Sequence, residues 1–272
     1  MTAWHQARRA SVSLALFVIA GGALAQAPAN EAFQPEVGQE GKDVVWVPSP
    51  QRLVDKMLDM ARVTPKDTLI DLGSGDGRTV ISAARRGARA LGIEYNPDMV
   101  ALSRRNAAEA GVSDKAQFLN ADIFESDLSR ASVITLFLLT DLNLRLRPTI
   151  LSLKPGTRVV SNTFKMGDWE PDETAELDCG TYCTAYLWIV PARVEGTWRV
   201  PQGELALLQH FQRITGTLSS GAAVLPISGG KLRGDQVRFS AGNSEYRGRV
   251  IGNVIEGTVK SANNTRAWKA AR

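Results

Sequence analysis

Apolar residues follow two different patterns along the chain, and the change falls close to residue 192. Before that point, short apolar runs of strand length alternate with segments whose apolar residues recur at helical spacing. This alternation predicts an α/β fold with a doubly wound, mostly parallel sheet that carries helices on both faces. Strands are expected at 68–72, 88–94, 116–119, 132–138 and 157–162, and helices at 51–61, 77–86, 97–110 and 143–153.

Single residues refine the predicted elements. Asn96 is expected to cap the helix that starts at Pro97, and Gly111 is expected to end it. The strand at 132–138 is apolar throughout, which predicts a central position in the sheet. Pro148 is expected to kink or divide the last of these helices.

From residue 196 onward, glycine recurs every few residues and apolar positions alternate with polar ones. This pattern predicts a small antiparallel all-β domain at 196–272, either a barrel or a curved sheet. Its strands are expected at 205–218, 230–240, 246–250 and 254–259, with a last one near Trp268. Its aromatic residues are expected to fill one core; they are Trp198, Phe211, Phe239, Tyr246 and Trp268. The domain is expected either to help hold a protein acceptor or to cap the edge of the parallel sheet.

The first 25 residues have the pattern of an export signal. Arg8 and Arg9 precede the apolar run 12–20, and the segment ends in an A-x-A cleavage pattern at Ala25. We therefore expect a signal peptide at 1–25, a flexible lead-in at 26–43, and a mature protein in the periplasm without a stable membrane span. The alternative is an uncleaved membrane anchor. The first folded domain is then expected at 44–192.

Charge and cysteine content narrow the possible partners. The formal net charge is only +4, and no clustered basic run occurs, so nucleic acid is not expected as a partner. The two cysteines are Cys179 and Cys183. Residues four apart in a strand are about 13 Å apart, whereas a disulfide needs Cα atoms within about 7 Å. A bridge therefore requires a turn, which Gly180 can supply, and both outcomes stay open. No metal site is expected, because no histidine lies near the cysteines.

The motif Asp71-x-Gly73-x-Gly75-x-Gly77 follows an apolar strand and opens a helix. Glycine allows positive φ and lets the backbone approach a ligand closely. A dinucleotide fingerprint is G-x-G-x-x-G, and here the third glycine comes one residue early. Asp71 is placed to receive a ligand ammonium, while the helix N-terminus can receive a carboxylate. The methionine end of S-adenosylmethionine carries both groups.

Two more carboxylates follow successive strands. Glu94 ends the second strand and can accept both ribose hydroxyls, and Asp122 follows the third strand and can accept from an adenine amino group. Three acidic residues at three strand ends form one site at the carboxyl edge of a parallel sheet. The expected cofactor-binding residues are Asp71, Gly73, Ser74, Gly75, Gly77, Glu94 and Asp122.

Residues 44–172 resemble the class I methyltransferases, and more closely the small protein-lysine methyltransferases that act on an ATP synthase subunit and the adenine nucleotide translocator. The matching segments are Trp46-Val47-Pro48-Ser49-Pro50, Asp71-Leu72-Gly73-Ser74-Gly75-Asp76-Gly77-Arg78, Leu136-Phe137-Leu138-Leu139, Leu144-Arg145-Leu146-Arg147-Pro148, Lys154-Pro155-Gly156-Thr157-Arg158-Val159-Val160-Ser161 and Met166-Gly167-Asp168-Trp169. The resemblance implies a Rossmann-like methyltransferase sheet, S-adenosylmethionine as cofactor and a lysine acceptor in a protein. It does not cover the all-β domain, and the export signal departs from the family's intracellular setting.

The acceptor side carries fewer signals. A cytosine C5 enzyme would need a cysteine after the fourth strand, and an amino-purine or glutamine enzyme would show an Asp/Asn-Pro-Pro-aromatic turn; the residues here are Leu138-Leu139-Thr140-Asp141. Asp141 or Asn143 can orient an acceptor or cap a helix, and no catalytic residue is assigned. The alternatives to a protein-lysine methyltransferase are an exported S-adenosylmethionine-binding or adaptor protein without transferase activity, and a small-molecule methyl- or aminopropyltransferase. The oligomeric state stays open.

Overall fold

The computed structural model describes residues 1–2, 33–262 and 264–272. Nearly all of the expected signal peptide, including Ala25, and the first part of the lead-in lie outside the described residues. Cleavage after Ala25 therefore stays a prediction. Residues 33–272 form one compact unit that contains both the predicted sheet and the predicted β domain.

The first part of the chain forms a seven-stranded mixed sheet in the order β3-β2-β1-β4-β5-β7-β6. Strands β1 to β5 pair in parallel, and β6 and β7 are antiparallel. The elements are α1 (Gln51–Met60), β1 (Thr68–Leu72), α2 (Arg78–Arg85), β2 (Arg89–Glu94), α3 (Pro97–Glu109), β3 (Ala116–Asn120), β4 (Val133–Leu136), α4 (Thr140–Leu151), β5 (Arg158–Asn162), β6 (Glu173–Glu176) and β7 (Thr184–Ile189). The predicted fold class is confirmed, and β4 is the central strand.

Helices cover both faces of this sheet. Buried residues of α1, α2 and α3 join one apolar cluster, and those of α4 join another. The predicted cap of α3 is confirmed, because the Asn96 side chain accepts hydrogen bonds from the backbone N–H groups of Asp98 and Met99. The expected division of α4 is wrong: the helix continues through Pro148. Proline removes one intrahelical hydrogen bond, and burial of Leu146 and Ile150 on either side keeps the helix packed.

The last part of the chain closes into an eight-stranded antiparallel barrel, in the order β10-β11-β12-β13-β14-β15-β8-β9. Its strands are β8 (Gly196–Val200), β9 (Gly203–His210), β10 (Arg213–Ser220), β11 (Ala223–Arg233), β12 (Gln236–Ala241), β13 (Ser244–Ile251), β14 (Val254–Ser261) and β15 (Asn264–Ala271). The predicted strand 205–218 is two strands joined at Phe211, and the predicted strand 230–240 crosses a turn at Gly234. In both places the alternation of apolar and polar residues continues through a tight turn, which conceals it.

The barrel interior is filled by its own side chains, including four of the five predicted core aromatics. Trp198, Phe239, Tyr246 and Trp268 are buried, and the rings of Phe239 and Tyr246 stack with centroids 4.8 Å apart. The fifth assignment is wrong. Phe211 occupies the turn between β9 and β10, and its ring stacks on Trp169 of the sheet domain at 5.8 Å.

The barrel is fastened to the sheet domain through this same turn. The Gln212 side-chain amide donates to the Glu170 carbonyl at 2.7 Å. Lys231 approaches the buried carboxylate of Asp172 at 3.4 Å. The two regions therefore share a packed interface in addition to the segment that links them. Across the described residues, no helix is long and apolar enough to cross a bilayer.

Candidate functional site

A cavity lies at the edge of the sheet where the parallel strands end. Asp71 of β1, Glu94 of β2 and Asp122 after β3 all line it, as do Gly73, Ser74 and Gly75 of the loop after β1. These six expected cofactor residues are thus brought together. The seventh, Gly77, instead forms the N-cap of α2. Because the carboxyl ends of parallel strands share one edge, residues far apart in sequence meet there.

The three glycines of the loop all have positive φ, at 76°, 53° and 83° for Gly73, Gly75 and Gly77. A Cβ on Gly75 would lie 2.7 Å from the indole nitrogen of Trp46, and one on Gly77 would lie 2.8 Å from the ring of Phe118. Conformation and space therefore both require glycine at these positions.

Ser74 contributes differently from the expectation that it binds a ligand. Its hydroxyl lies over Gly92 of β2, where an added Cβ would be 2.5 Å from the hydroxyl oxygen. The hydroxyl is buried and has no hydrogen-bond partner within the part of the chain that the structure describes. The side chain therefore packs between the loop and β2, and a ligand contact from Ser74 stays a prediction.

The carboxylate of Glu94 is fixed by two backbone groups. The Gly75 N–H donates to Oε2 and the Asn96 N–H donates to Oε1, both at 3.0 Å. Hydrogen bonds to an ionised carboxylate are stronger than neutral ones. They orient Glu94 at the cavity and tie the end of β2 to the glycine loop.

Asp71 is a buried carboxyl at the centre of the site. The hydroxyl of Thr135 donates to its Oδ1 at 2.6 Å. Burial raises the pKa of Asp71 from 3.8 to about 7, with Glu94 and Asp76 adding to the effect and Thr135 opposing it. A positively charged ligand group beside Asp71 would restore the ionised form. Sequence reasoning missed Thr135, although it is a polar residue within an otherwise apolar strand.

Asp122 is paired with Lys42 of the lead-in. The Phe124 N–H also donates to Asp122 Oδ1 at 2.9 Å. The hydrogen bond from Lys42 lowers the pKa of Asp122, and the Lys42 ammonium lies 4.7 Å from the ring centroid of Tyr95. Each carboxylate oxygen has two lone pairs, so Asp122 can still accept from an amino group.

The second half of the lead-in lies against the cavity, which the sequence did not predict. Residues 39–43 contribute to the lining together with Trp46. Two backbone hydrogen bonds shape this segment, from Gly38 N–H to the Trp46 carbonyl at 2.9 Å and from Trp46 N–H to the Gln39 carbonyl at 2.8 Å. Flexibility of the lead-in stays a prediction, but its position makes it part of the site.

The cavity continues across β4, β5 and β7, where its lining is aromatic and apolar: Phe137, Leu138, Leu139, Phe164 and Tyr182. Neither Asp141 nor Asn143 is among the described residues that line it. The N-cap of α4 is Leu139, so the expected capping role is wrong for both. Asn143 is buried and donates to the Phe164 carbonyl at 3.2 Å, so it holds the chain segment after β5.

Comparison with known proteins agrees with this geometry. The family described as "ANTKMT methyltransferase domain" matches residues 71–173. A protein-lysine N-methyltransferase of Saccharolobus islandicus is 39% identical over 151 residues, which cover 54% of this chain and 94% of the relative. A human lysine N-methyltransferase named for an ATP synthase subunit is 34% identical over 168 residues, covering 61% and 68%. The chain belongs to the family of S-adenosylmethionine-dependent methyltransferases that includes these enzymes.

A solved structure identifies the cofactor of this methyltransferase. An RNA methyltransferase from Salinibacter ruber, in complex with S-adenosyl-L-homocysteine, is 51% identical, with a TM-score of 0.52, and covers 54% of this chain and 96% of the other. The methyltransferase therefore uses S-adenosylmethionine. The donor set fits it, because carboxylates at three strand ends can accept from an ammonium, two ribose hydroxyls and an amino group.

Proposed function

We propose that this methyltransferase transfers a methyl group to the ε-amino group of a lysine side chain in a protein. The observation that carries the proposal is the division of the cavity along the sheet edge. Over β3, β2 and β1 it is lined by the three carboxylates, and over β4, β5 and β7 by aromatic and apolar side chains. The second half suits a long alkyl chain that ends in an amine. Two of the relatives described above are lysine N-methyltransferases.

The carboxylates have separate proposed roles in binding the cofactor. Asp71 would accept from the ammonium of the methionine end, Glu94 from the ribose hydroxyls, and Asp122 from the adenine amino group. The bound cofactor supplies an electrophilic methyl group on a positively charged sulfur. The protein contributes mainly by holding the acceptor nitrogen in line with that group.

The acceptor nitrogen must be neutral before it can attack. Burial of its ammonium between apolar walls lowers the pKa of a lysine and favours loss of a proton to water. The nitrogen lone pair then forms a bond to the methyl carbon while the carbon–sulfur bond breaks, and the bonding electrons remain on sulfur. The methylated nitrogen carries the positive charge away. We assign no residue as a catalytic base.

RNA is the second candidate acceptor. The solved relative with 51% identity is named as an RNA methyltransferase. The barrel also carries a local excess of positive charge, with eleven Lys and Arg residues against four Asp and Glu residues in 196–272. This excess was not visible in the net charge of +4. Basic surfaces are the usual feature of nucleic-acid binding.

Labelled S-adenosylmethionine distinguishes these candidates. The purified protein would be incubated with an envelope protein extract and, separately, with total RNA. We expect label in protein, recovered as methyl-lysine after acid hydrolysis, and no label with the Glu94→Ala variant as control. Label that ribonuclease removes would favour RNA instead. Tight binding of S-adenosylhomocysteine without transfer to either would favour a binding protein.

We also propose that the mature enzyme works in the periplasm. Two features support export: the leader pattern of residues 1–25 and a disulfide between the two cysteines, a bond that persists in oxidising compartments. An exported enzyme requires that S-adenosylmethionine reach it across a membrane. The intact mass of protein from the envelope fraction tests the proposal, and a mass that retains residues 1–25 would contradict cleavage.

A further inference from the structure

Three aromatic rings meet at the β4–β5–β7 end of the cavity. The ring centroids of Phe137 and Phe164 are 6.1 Å apart, those of Phe137 and Tyr182 are 5.4 Å apart, and those of Phe164 and Tyr182 are 6.2 Å apart. Phe137 follows β4, Phe164 follows β5, and Tyr182 lies in the loop between β6 and β7. Three separate chain segments thus contribute one ring each to a single aromatic cluster.

This aromatic cluster is not part of the buried core. Phe137 and Phe164 are partly accessible, and Tyr182 is 41% exposed. All three side chains line the cavity that also holds the carboxylates. Their neighbour Leu138 approaches the cofactor loop, where a Cβ on Gly73 would lie 3.2 Å from it. The rings therefore stand next to the expected position of the transferable methyl group and remain open to a second ligand.

A disulfide holds the third ring in place. Cys179 and Cys183 are bonded, with Cα atoms 5.8 Å apart, and so close a short loop that contains Tyr182. The turn expected at Gly180 is present, with φ of 90°. Tyr182 itself has φ of 60°, a conformation that non-glycine residues rarely adopt. Covalent closure of the loop restricts the alternatives open to it, so the bond helps to keep Tyr182 over the other two rings.

We propose that Phe137, Phe164 and Tyr182 form the acceptor subsite, which takes an alkylammonium side chain, and that the Cys179–Cys183 disulfide positions Tyr182 as its third wall. Aromatic faces bind both the methylene stem of lysine and the positive charge of a methylated ammonium. This inference rests on the proposed function, because it gives the lysine its binding site. It adds a specific role for the disulfide, which a reducing environment would remove.

The test separates the binding of the acceptor from that of the cofactor. The variants are Tyr182→Ala, Tyr182→Phe and the double variant Cys179→Ser/Cys183→Ser, with Leu208→Ala on the exposed barrel surface as matched control. Methyl transfer to the envelope protein extract is measured as a function of extract concentration. S-adenosylhomocysteine affinity is measured by calorimetry.

We expect Tyr182→Ala to raise the half-saturating extract concentration by roughly 3- to 10-fold, the range that loss of a cation–π contact gives. Affinity for S-adenosylhomocysteine should stay unchanged, and Tyr182→Phe should behave as the parent protein. The double cysteine variant should show part of the loss, and dithiothreitol should reproduce that loss in the parent while leaving the double variant unaffected. Unchanged half-saturation in Tyr182→Ala, or an equal loss of cofactor affinity, would overturn the proposal.

A second readout does not depend on transfer. Binding of Nε-trimethyl-lysine amide to the protein saturated with S-adenosylhomocysteine is measured by saturation-transfer NMR. We expect binding to the parent protein and its loss in Tyr182→Ala. If no protein is methylated but the amide still binds in this way, the proposed function fails and the subsite stands. If the amide does not bind to the parent protein, the subsite is overturned.

Discussion

In the sheet domain, β1 to β5 run in the same direction, and the loops that leave them carry Asp71, Glu94 and Phe137 to one shared edge. In the barrel, neighbouring strands run in opposite directions, and inward-facing residues such as Trp198 and Phe239 meet one another. Within the described chain, no barrel residue lines the cavity. A parallel sheet collects loop residues into a site, whereas a small closed barrel uses its interior for its own stability.

The charges of the two regions differ in the same sense. Residues 44–192 contain 17 Lys and Arg against 19 Asp and Glu, while residues 196–272 contain 11 against 4. The acidic residues that gather at the sheet edge suit a cofactor that carries positive charge. The basic residues of the barrel lie on strands whose inward positions are apolar, so they cover its outer surface. The barrel is therefore better suited to hold a partner than to bind the cofactor.

Glu94→Ala should have the largest effect and would break the comparison if it failed. The substitution removes two charge-assisted hydrogen bonds to the ribose, each worth about 1.5–3 kcal/mol, and also releases the Gly75 N–H. Affinity for S-adenosylmethionine should fall by more than about tenfold, as measured by calorimetry. The matched control is Glu256→Ala, which removes an exposed carboxylate of the barrel that pairs with Lys269. Equal affinity in both variants would contradict the site.

Phe211→Ala tests whether the two regions are energetically linked. Loss of the partly buried ring that stacks on Trp169 should lower the free energy of unfolding by about 1–3 kcal/mol. Cofactor affinity should not change, because Phe211 is not among the residues that line the cavity. Urea unfolding measures the loss, with Leu208→Ala, an exposed residue of β9, as control. An unchanged unfolding transition of the sheet domain would mean that the barrel is only tethered.

A smaller effect is expected from the pH dependence of stability without cofactor. The pKa of Asp71 is about 7 in the folded protein and 3.8 ordinarily, so the folded state retains a proton that the unfolded state loses. Its contribution is fully present below the lower value and is lost as pH rises through the upper one. Stability should therefore fall by about 1 kcal/mol between about pH 6 and about pH 8.

Thermal unfolding of Asp71→Asn and of a barrel control identifies the source of that pH dependence. Asp71→Asn should remove this part of the decrease, since an amide does not ionise in this range. Asp235→Asn replaces a partly exposed acidic residue of the barrel and should keep the decrease. A parent protein whose stability does not fall across this range would contradict the raised pKa.

Much of the sheet domain could be predicted because its signals are local. The glycines of the loop at 73–77 and the cap at Asn96 each act through neighbouring backbone, and the structure confirms both. The barrel was harder, because alternation with period two does not stop at a tight turn. Phe211 was therefore placed inside a strand and a core, although it lies at a turn and contacts the sheet domain.

By itself, the sequence determined the order of strands and helices, the glycine loop and the three carboxylates at successive strand ends. These follow from periodicity and from the rule that parallel strands end at one edge. Only the tertiary structure decided that Lys42 lies beside Asp122, that Thr135 donates to Asp71 and that Tyr182 joins the aromatic cluster. The physical reason is that these contacts join residues far apart in the chain. Local pattern specifies which face of an element is apolar, but the packing of the whole chain selects which distant side chain covers it.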